Sequence, residues 1–148
     1  RDEEVNCNDL ARYCVSENLK HFPEAPVTLL TDVSDEFHIH TSYQYLMRSL
    51  HELLYNASKY SDGQHITMRI NRTDDKVYFI VEDTGPGIAD EYVDHLFEMF
   101  TKVNDLSEGL GLGLSLAKRH LKNLGGDINF DTSYKAGCRI IIEVPIGG

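Results

Sequence analysis

Leu46, Leu50, Leu53, Leu54 and Ala57 fall on one side of a helix when successive residues turn by about 100°. Thr41 or Ser42 stands where a capping oxygen is wanted, and Ser61-Asp62-Gly63 ends the pattern after Tyr60. Residues 1–20 read as a polar helix with Val5, Leu10, Cys14 and Leu19 as contact points, broken by Pro23 and Pro26. Two short strands, Val27–Thr31 and Glu36–His40, flank a turn at Asp32–Asp35. His65–Asn71 and Lys76–Glu82 form a hairpin through Arg72-Thr73-Asp74-Asp75. A short helix is predicted over Glu91–Leu96, an irregular stretch over Phe97–Leu110, and a helix over Leu112–Leu124 that stops at Gly125-Gly126. Lys118, Arg119, His120 and Lys122 then sit near its negative end. Strands at Asp127–Thr132 and Gly137–Val144 close the chain around Tyr134-Lys135. This order predicts an α/β (α+β) two-layer sandwich: one mixed, mostly antiparallel sheet with helices on one face.

The length of 148 residues suits one core. With 14 Lys and Arg against 24 Asp and Glu, the formal charge is −10, which argues against nucleic acid as a partner. A polyphosphate is not excluded, because backbone amides and one or two cations hold it locally. No apolar run approaches the roughly 18 residues of a membrane span, and no direct membrane contact is expected. Cys7, Cys14 and Cys138 include no CxxC pair, which points to reduced thiols in a cytosolic setting.

Glu52, Asn56 and Lys59 line up along one stripe, on the far side of the same helix from its leucines. Such a stripe is either a solvated outer face or a reactive one. Asn offers a neutral oxygen to Mg²⁺, Lys neutralises phosphate charge, and Glu can orient or deprotonate a nucleophile. Asp83-Thr84-Gly85-Pro86-Gly87 follows an apolar strand, where two glycines allow a planar ligand near the backbone and a carboxylate can accept from an exocyclic amine. A plain surface turn would have the same composition. Gly109-Leu110-Gly111-Leu112-Gly113-Leu114-Ser115 precedes a helix, which frees amides to face an anion at its positive end. It is neither GxxxxGK[ST] nor GxGxxG. His51-Glu52 fails as HExxH, since Tyr55 occupies the second His position; His38 and His40 alternate on a strand with no carboxylate or thiol partner in view.

Taken together, these segments resemble the histidine-kinase branch of the Bergerat-fold (GHKL) ATPases. Residues 52–60 resemble the N box, Asp83–Ile88 match the G1 box, residues 96–102 resemble the F box, and Gly109–Leu114 match the G2 box. The likeness implies ATP and Mg²⁺ as ligands. Asn56 would coordinate Mg²⁺, Lys59 would lie near the phosphates and Tyr60 beside the nucleotide, and Asp83 would read the adenine amine. Gly85, Gly87 and Ile88 would border the base. Phe97 and Phe100 would anchor a mobile ATP lid, with Lys102 where relatives often carry Arg. Gly109, Leu110, Gly111, Leu112, Gly113 and Leu114 would wrap the phosphates. Glu52 stands where many histidine kinases have Asn, and the span from Phe100 to Gly109 is short for a lid.

The resemblance further implies the catalytic domain of a two-component sensor kinase, passing γ-phosphate to a histidine on a separate dimerisation domain. None of the seven His lies in an H-[ED]-x-x-x-P context, so the acceptor is expected before Arg1. Residues 1–26 would then be the connection and 27–148 the catalytic domain. A response regulator would act downstream. The parent is expected to be a homodimer anchored in the bacterial inner membrane, with this domain cytoplasmic. The alternative is an ATP-hydrolysing clamp in which Glu52 activates water.

Overall fold

The computed structural model describes residues 2–60, 65–84, 111–131 and 133–147. Its elements run β1 (Glu3–Asn6), α1 (Cys7–His21), β2 (Val27–Thr31), β3 (His38–Thr41), α2 (Tyr43–Tyr60), β4 (Ile66–Arg72), β5 (Lys76–Asp83), α3 (Gly111–Asn123), β6 (Asp127–Phe130) and β7 (Arg139–Pro145). The main sheet has the order β2-β4-β5-β7-β6. β2 runs parallel to β4 and the other pairs are antiparallel. Parallel pairing needs a long crossover, and β3 with α2 supplies it.

Strict alternation across the strands builds the core. Met68 opposes Val81, Ile70 opposes Phe79, and Phe79 and Ile128 both oppose Ile142; all are buried. Against this face lie Leu46, Leu50, Leu53 and Leu54 of α2, Leu114 and Leu121 of α3, and Leu10, Ala11 and Cys14 of α1, in one cluster. The leucine face read from the sequence is therefore the core face of α2. On the sheet's other face, Glu82 takes ion pairs from Arg69 at 2.9 Å and Arg139 at 2.7 Å. The turn between β4 and β5 closes as predicted, with the Thr73 N–H donating to the Lys76 carbonyl at 2.9 Å.

The N-terminus departs from the predicted helix over residues 1–20. Glu3–Asn6 form β1, antiparallel to β3, and the helix starts only at Cys7. Asn6 ends the strand and caps the helix, its side chain accepting from the Asp9 N–H at 2.9 Å. Leu19 is 44% exposed rather than a contact point, and Asn18 takes the buried position beside it. β3 is shifted from the predicted Glu36–His40 to His38–Thr41, because the Ser34 hydroxyl accepts from the Glu36 N–H and holds that residue in a turn. The single sheet also needs correction, since β1 and β3 form a separate two-stranded ribbon. Within it His40 does have a carboxylate neighbour, Glu4, at 3.5 Å. The predicted helix over Glu91–Leu96 and the lid lie outside the described residues.

The three thiols are free. Burial pushes each of them up to about 12, with Arg72 opposing it at Cys7 and Asp83 adding to it at Cys138. They are packing groups rather than nucleophiles.

Candidate functional site

The end of α2 carries the first half of the site. Ser42 caps this helix, its hydroxyl accepting from the Tyr45 N–H at 3.3 Å, and the leucine face fixes its roll on the sheet. Glu52, Asn56 and Lys59 then follow at one-turn intervals. Lys59 is exposed and Glu52 half-buried. Burial pushes the Glu52 carboxyl above its ordinary range, with His51 opposing in part. Asn56 departs from the solvated stripe: it is only 2% exposed, and neither its Nδ2 nor its Oδ1 has a hydrogen-bond partner among the described residues. α1 and α3 both pack on α2, so a position on the flank of the leucine face is enclosed from the sides. Leaving a buried donor or acceptor unanswered costs about 1–3 kcal/mol, and the group asks for a partner from outside. Tyr60 ends the helix.

Asp83 ends β5 and is 8% exposed. Its backbone is held on both sides: its N–H donates to the Cys138 carbonyl at 2.9 Å, and its carbonyl accepts from the Tyr134 hydroxyl at 3.1 Å. The carboxylate Oδ1 accepts from the Cys138 N–H at 3.2 Å. Gly137 makes this closeness possible, because a Cβ there would stand 2.1 Å from the Asp83 carbonyl oxygen and 2.8 Å from its Oδ1.

The described part of the second glycine segment is helical. α3 begins at Gly111, one residue before the predicted start, so Gly111, Leu112 and Gly113 form its first turn rather than a wrapping loop. The first-turn N–H groups have no intrahelical acceptor and form the positive end of the helix dipole. Leu114, fully buried, holds that turn to the core. At the far end Gly125, at φ +84°, terminates the helix, and the Gly126 N–H returns to the Leu121 carbonyl at 2.7 Å. Gly85, Gly87, Ile88, Phe97, Phe100, Lys102, Gly109 and Leu110 lie outside the described residues.

Asp127 fastens α3 to the sheet. Its carboxylate meets Lys118 at 2.9 Å and Lys122 at 3.1 Å. Against the desolvation that would raise it, Lys118, the Ile128 N–H and Lys122 hold its pKa at about 2, down from 3.8. A carboxyl lowered on folding stabilises above its unfolded pKa and loses that contribution as pH falls through the folded one. Asp127→Asn is therefore expected to cost on the order of 1–2 kcal/mol at neutral pH. In urea melts the gap to the parent should close between about pH 4 and pH 2; a gap constant with pH would refute the ion-pair account.

Residues 41–148 match the family described as histidine kinase-, DNA gyrase B- and HSP90-like ATPases. The chain belongs to that family. Its fold is that of the catalytic domain of the histidine kinase ThkA, with a TM-score of 0.83 at 23% identity, covering 100% of this chain and 99% of that one. The mycobacterial sensor histidine kinase MprB superposes with a TM-score of 0.81 at 22% identity, covering 98% and 97%. In sequence, the adaptive-response sensory kinase SasA of Rippkaea orientalis is 31% identical over 147 residues, 96% of this chain and 37% of SasA. The aerobic respiration control sensor protein ArcB of Escherichia coli is 31% identical over 105 residues, 67% of this chain and 14% of ArcB. The chain thus spans well under half the length of SasA and of ArcB. It is an ATP-binding domain of the histidine-kinase type.

Several residues that shape this ATPase domain's site escaped the sequence reading. Tyr134, Gly137 and Cys138 brace Asp83, although they lie more than fifty positions along the chain. Arg139 stacks over the Tyr134 ring at 4.1 Å while pairing with Glu82, and so connects the neighbour of Asp83 to the same brace. The only signal was the turn composition around Gly137, which does not say what the turn packs against. Glu52 also borders a cleft of about 510 Å³ between the three helices, together with Cys14, Ser49, Leu116 and His120.

Proposed function

We propose that this domain presents the γ-phosphate of Mg·ATP to a histidine on a separate dimerisation and phosphoacceptor domain of a two-component sensor kinase. The observation that carries it is Asn56, a buried carboxamide with both polar atoms unanswered, one helical turn from Lys59. A hard oxygen donor of this kind suits Mg²⁺, and Asn56 is assigned as its protein ligand. When bound, the metal neutralises charge on the phosphates. Lys59 approaches the same phosphates, Tyr60 flanks the nucleotide, and the first-turn amides of α3 face the anion. Asp83, fixed through its backbone and Oδ1, accepts from the adenine amine through its carboxylate.

The family pattern assigns Gly85, Gly87 and Ile88 to the base. It gives Phe97, Phe100 and Lys102 to the lid, and Gly109, Leu110, Gly111, Leu112, Gly113 and Leu114 to the phosphate end. Transfer of this kind depends on position and charge stabilisation, which these groups supply. The acceptor helices, the homodimer they form, a response regulator and a membrane-anchored parent belong to the same proposal. Among the described residues no helix is long and apolar enough to cross a membrane.

A second reading, hydrolysis with Glu52 as base, is favoured by burial, which raises the pKa of that carboxyl and makes its carboxylate a stronger base. One experiment separates them. With γ-radiolabelled ATP and the parent's acceptor helices, acid-labile label on a histidine is expected, retained within about tenfold in Glu52→Gln. Phosphate release without phosphoprotein, abolished in Glu52→Gln, would establish the clamp instead.

A further inference from the structure

α1 lies outside the residues that match the family, yet it supplies a polar contact to the segment proposed to hold the phosphates. Asn18 is fully buried in the contact between α1 and α2, and its Nδ2 donates to the Ser58 hydroxyl at 2.7 Å. Its Oδ1 has no partner among the described residues. Ser58 is 6% exposed and lies between Asn56 and Lys59 on the last turns of α2.

Burying an amide with one half unanswered is costly, and a leucine would fill the space without that cost. The other contacts between these helices are largely apolar, through Leu10, Ala11 and Cys14. Apolar contact is non-directional and leaves a helix free to roll or slide by a fraction of an ångström. A hydrogen bond has a required distance and angle. The leucine face sets which side of α2 meets the sheet, and the bond from Asn18 fixes its last turns, where Asn56 and Lys59 project, against α1.

We propose that Asn18 is a positioning residue, acting through Ser58 to hold Asn56 and Lys59 in register with the phosphate end of the nucleotide, so that displacement of α1 changes phosphate binding. This rests on the nucleotide reading above. Adenine recognition, at Asp83 on the sheet, is outside its reach.

The test compares a non-hydrolysable ATP analogue with Mg²⁺, measured by calorimetry, and adenosine, measured by NMR titration, on the whole chain. Asn18→Ala is expected to weaken the analogue about tenfold, the equivalent of about 1.4 kcal/mol, and to leave adenosine within about twofold. Ser58→Ala should match it, and the double variant should be no weaker than the weaker single. Asn18→Leu with Ser58→Ala guards against loss of folding, since it replaces the pair by apolar groups. It should melt at or above the parent temperature and still bind the analogue about tenfold less tightly. Parent-like analogue binding in that double variant, or equal losses for adenosine and analogue, would overturn the positioning role. A parent chain that binds neither ligand would overturn the nucleotide reading itself.

Discussion

Asp83→Asn is expected to weaken Mg·ATP about 10- to 100-fold while the domain stays folded. The asparagine keeps an oxygen in the place of Oδ1, so the bond from the Cys138 N–H at 3.2 Å survives. The other carboxylate oxygen becomes an amide nitrogen that donates, and a donor facing the adenine amine leaves two groups unmatched. Inosine triphosphate, which carries an acceptor oxygen at that ring position, should lose less affinity than ATP in the variant. Calorimetry on both nucleotides measures the reversal. Equal affinity of parent and variant for ATP would remove Asp83 from the adenine site.

Gly137→Ala is expected to destabilise the domain by about 1–3 kcal/mol, seen as a fall in melting temperature of roughly 3–9 °C. A methyl group at that position would meet the Asp83 carbonyl oxygen at 2.1 Å, closer than any real contact allows, and the neighbour is backbone rather than a side chain that can turn aside. Either the segment around residue 137 withdraws or the end of β5 moves. Both separate Asp83 from the Cys138 amide, so nucleotide affinity should fall with stability. A melting temperature within about 1 °C of the parent would show that the close approach is not needed.

The two predictions probe opposite sides of one arrangement. Asp83 is the group proposed to read the adenine, and residues more than fifty positions later hold it still. The family resemblance points to the first and is silent on the second. The same division holds at the proposed phosphate end, where Asn56 and Lys59 belong to a motif and Asn18, on a helix outside the matched residues, bonds to Ser58 on their turn.

The sequence by itself determined the elements whose signal is local. Leucine spacing marked the core face of α2, Thr41 or Ser42 its cap (the structure uses Ser42), the residues around Thr73 a hairpin, and Gly125-Gly126 the end of α3. A helical period and a turn composition are properties of neighbouring residues, so they are written where they act. Tertiary structure alone decided that residues 3–6 leave the helix for β3, that β2 runs parallel to β4, that Asn56 is enclosed rather than solvated, and that Gly137 abuts Asp83. Each depends on a partner far away in the chain. A hydrophobic period ranks positions around one helix, but only the elements packed beside it determine where water is excluded.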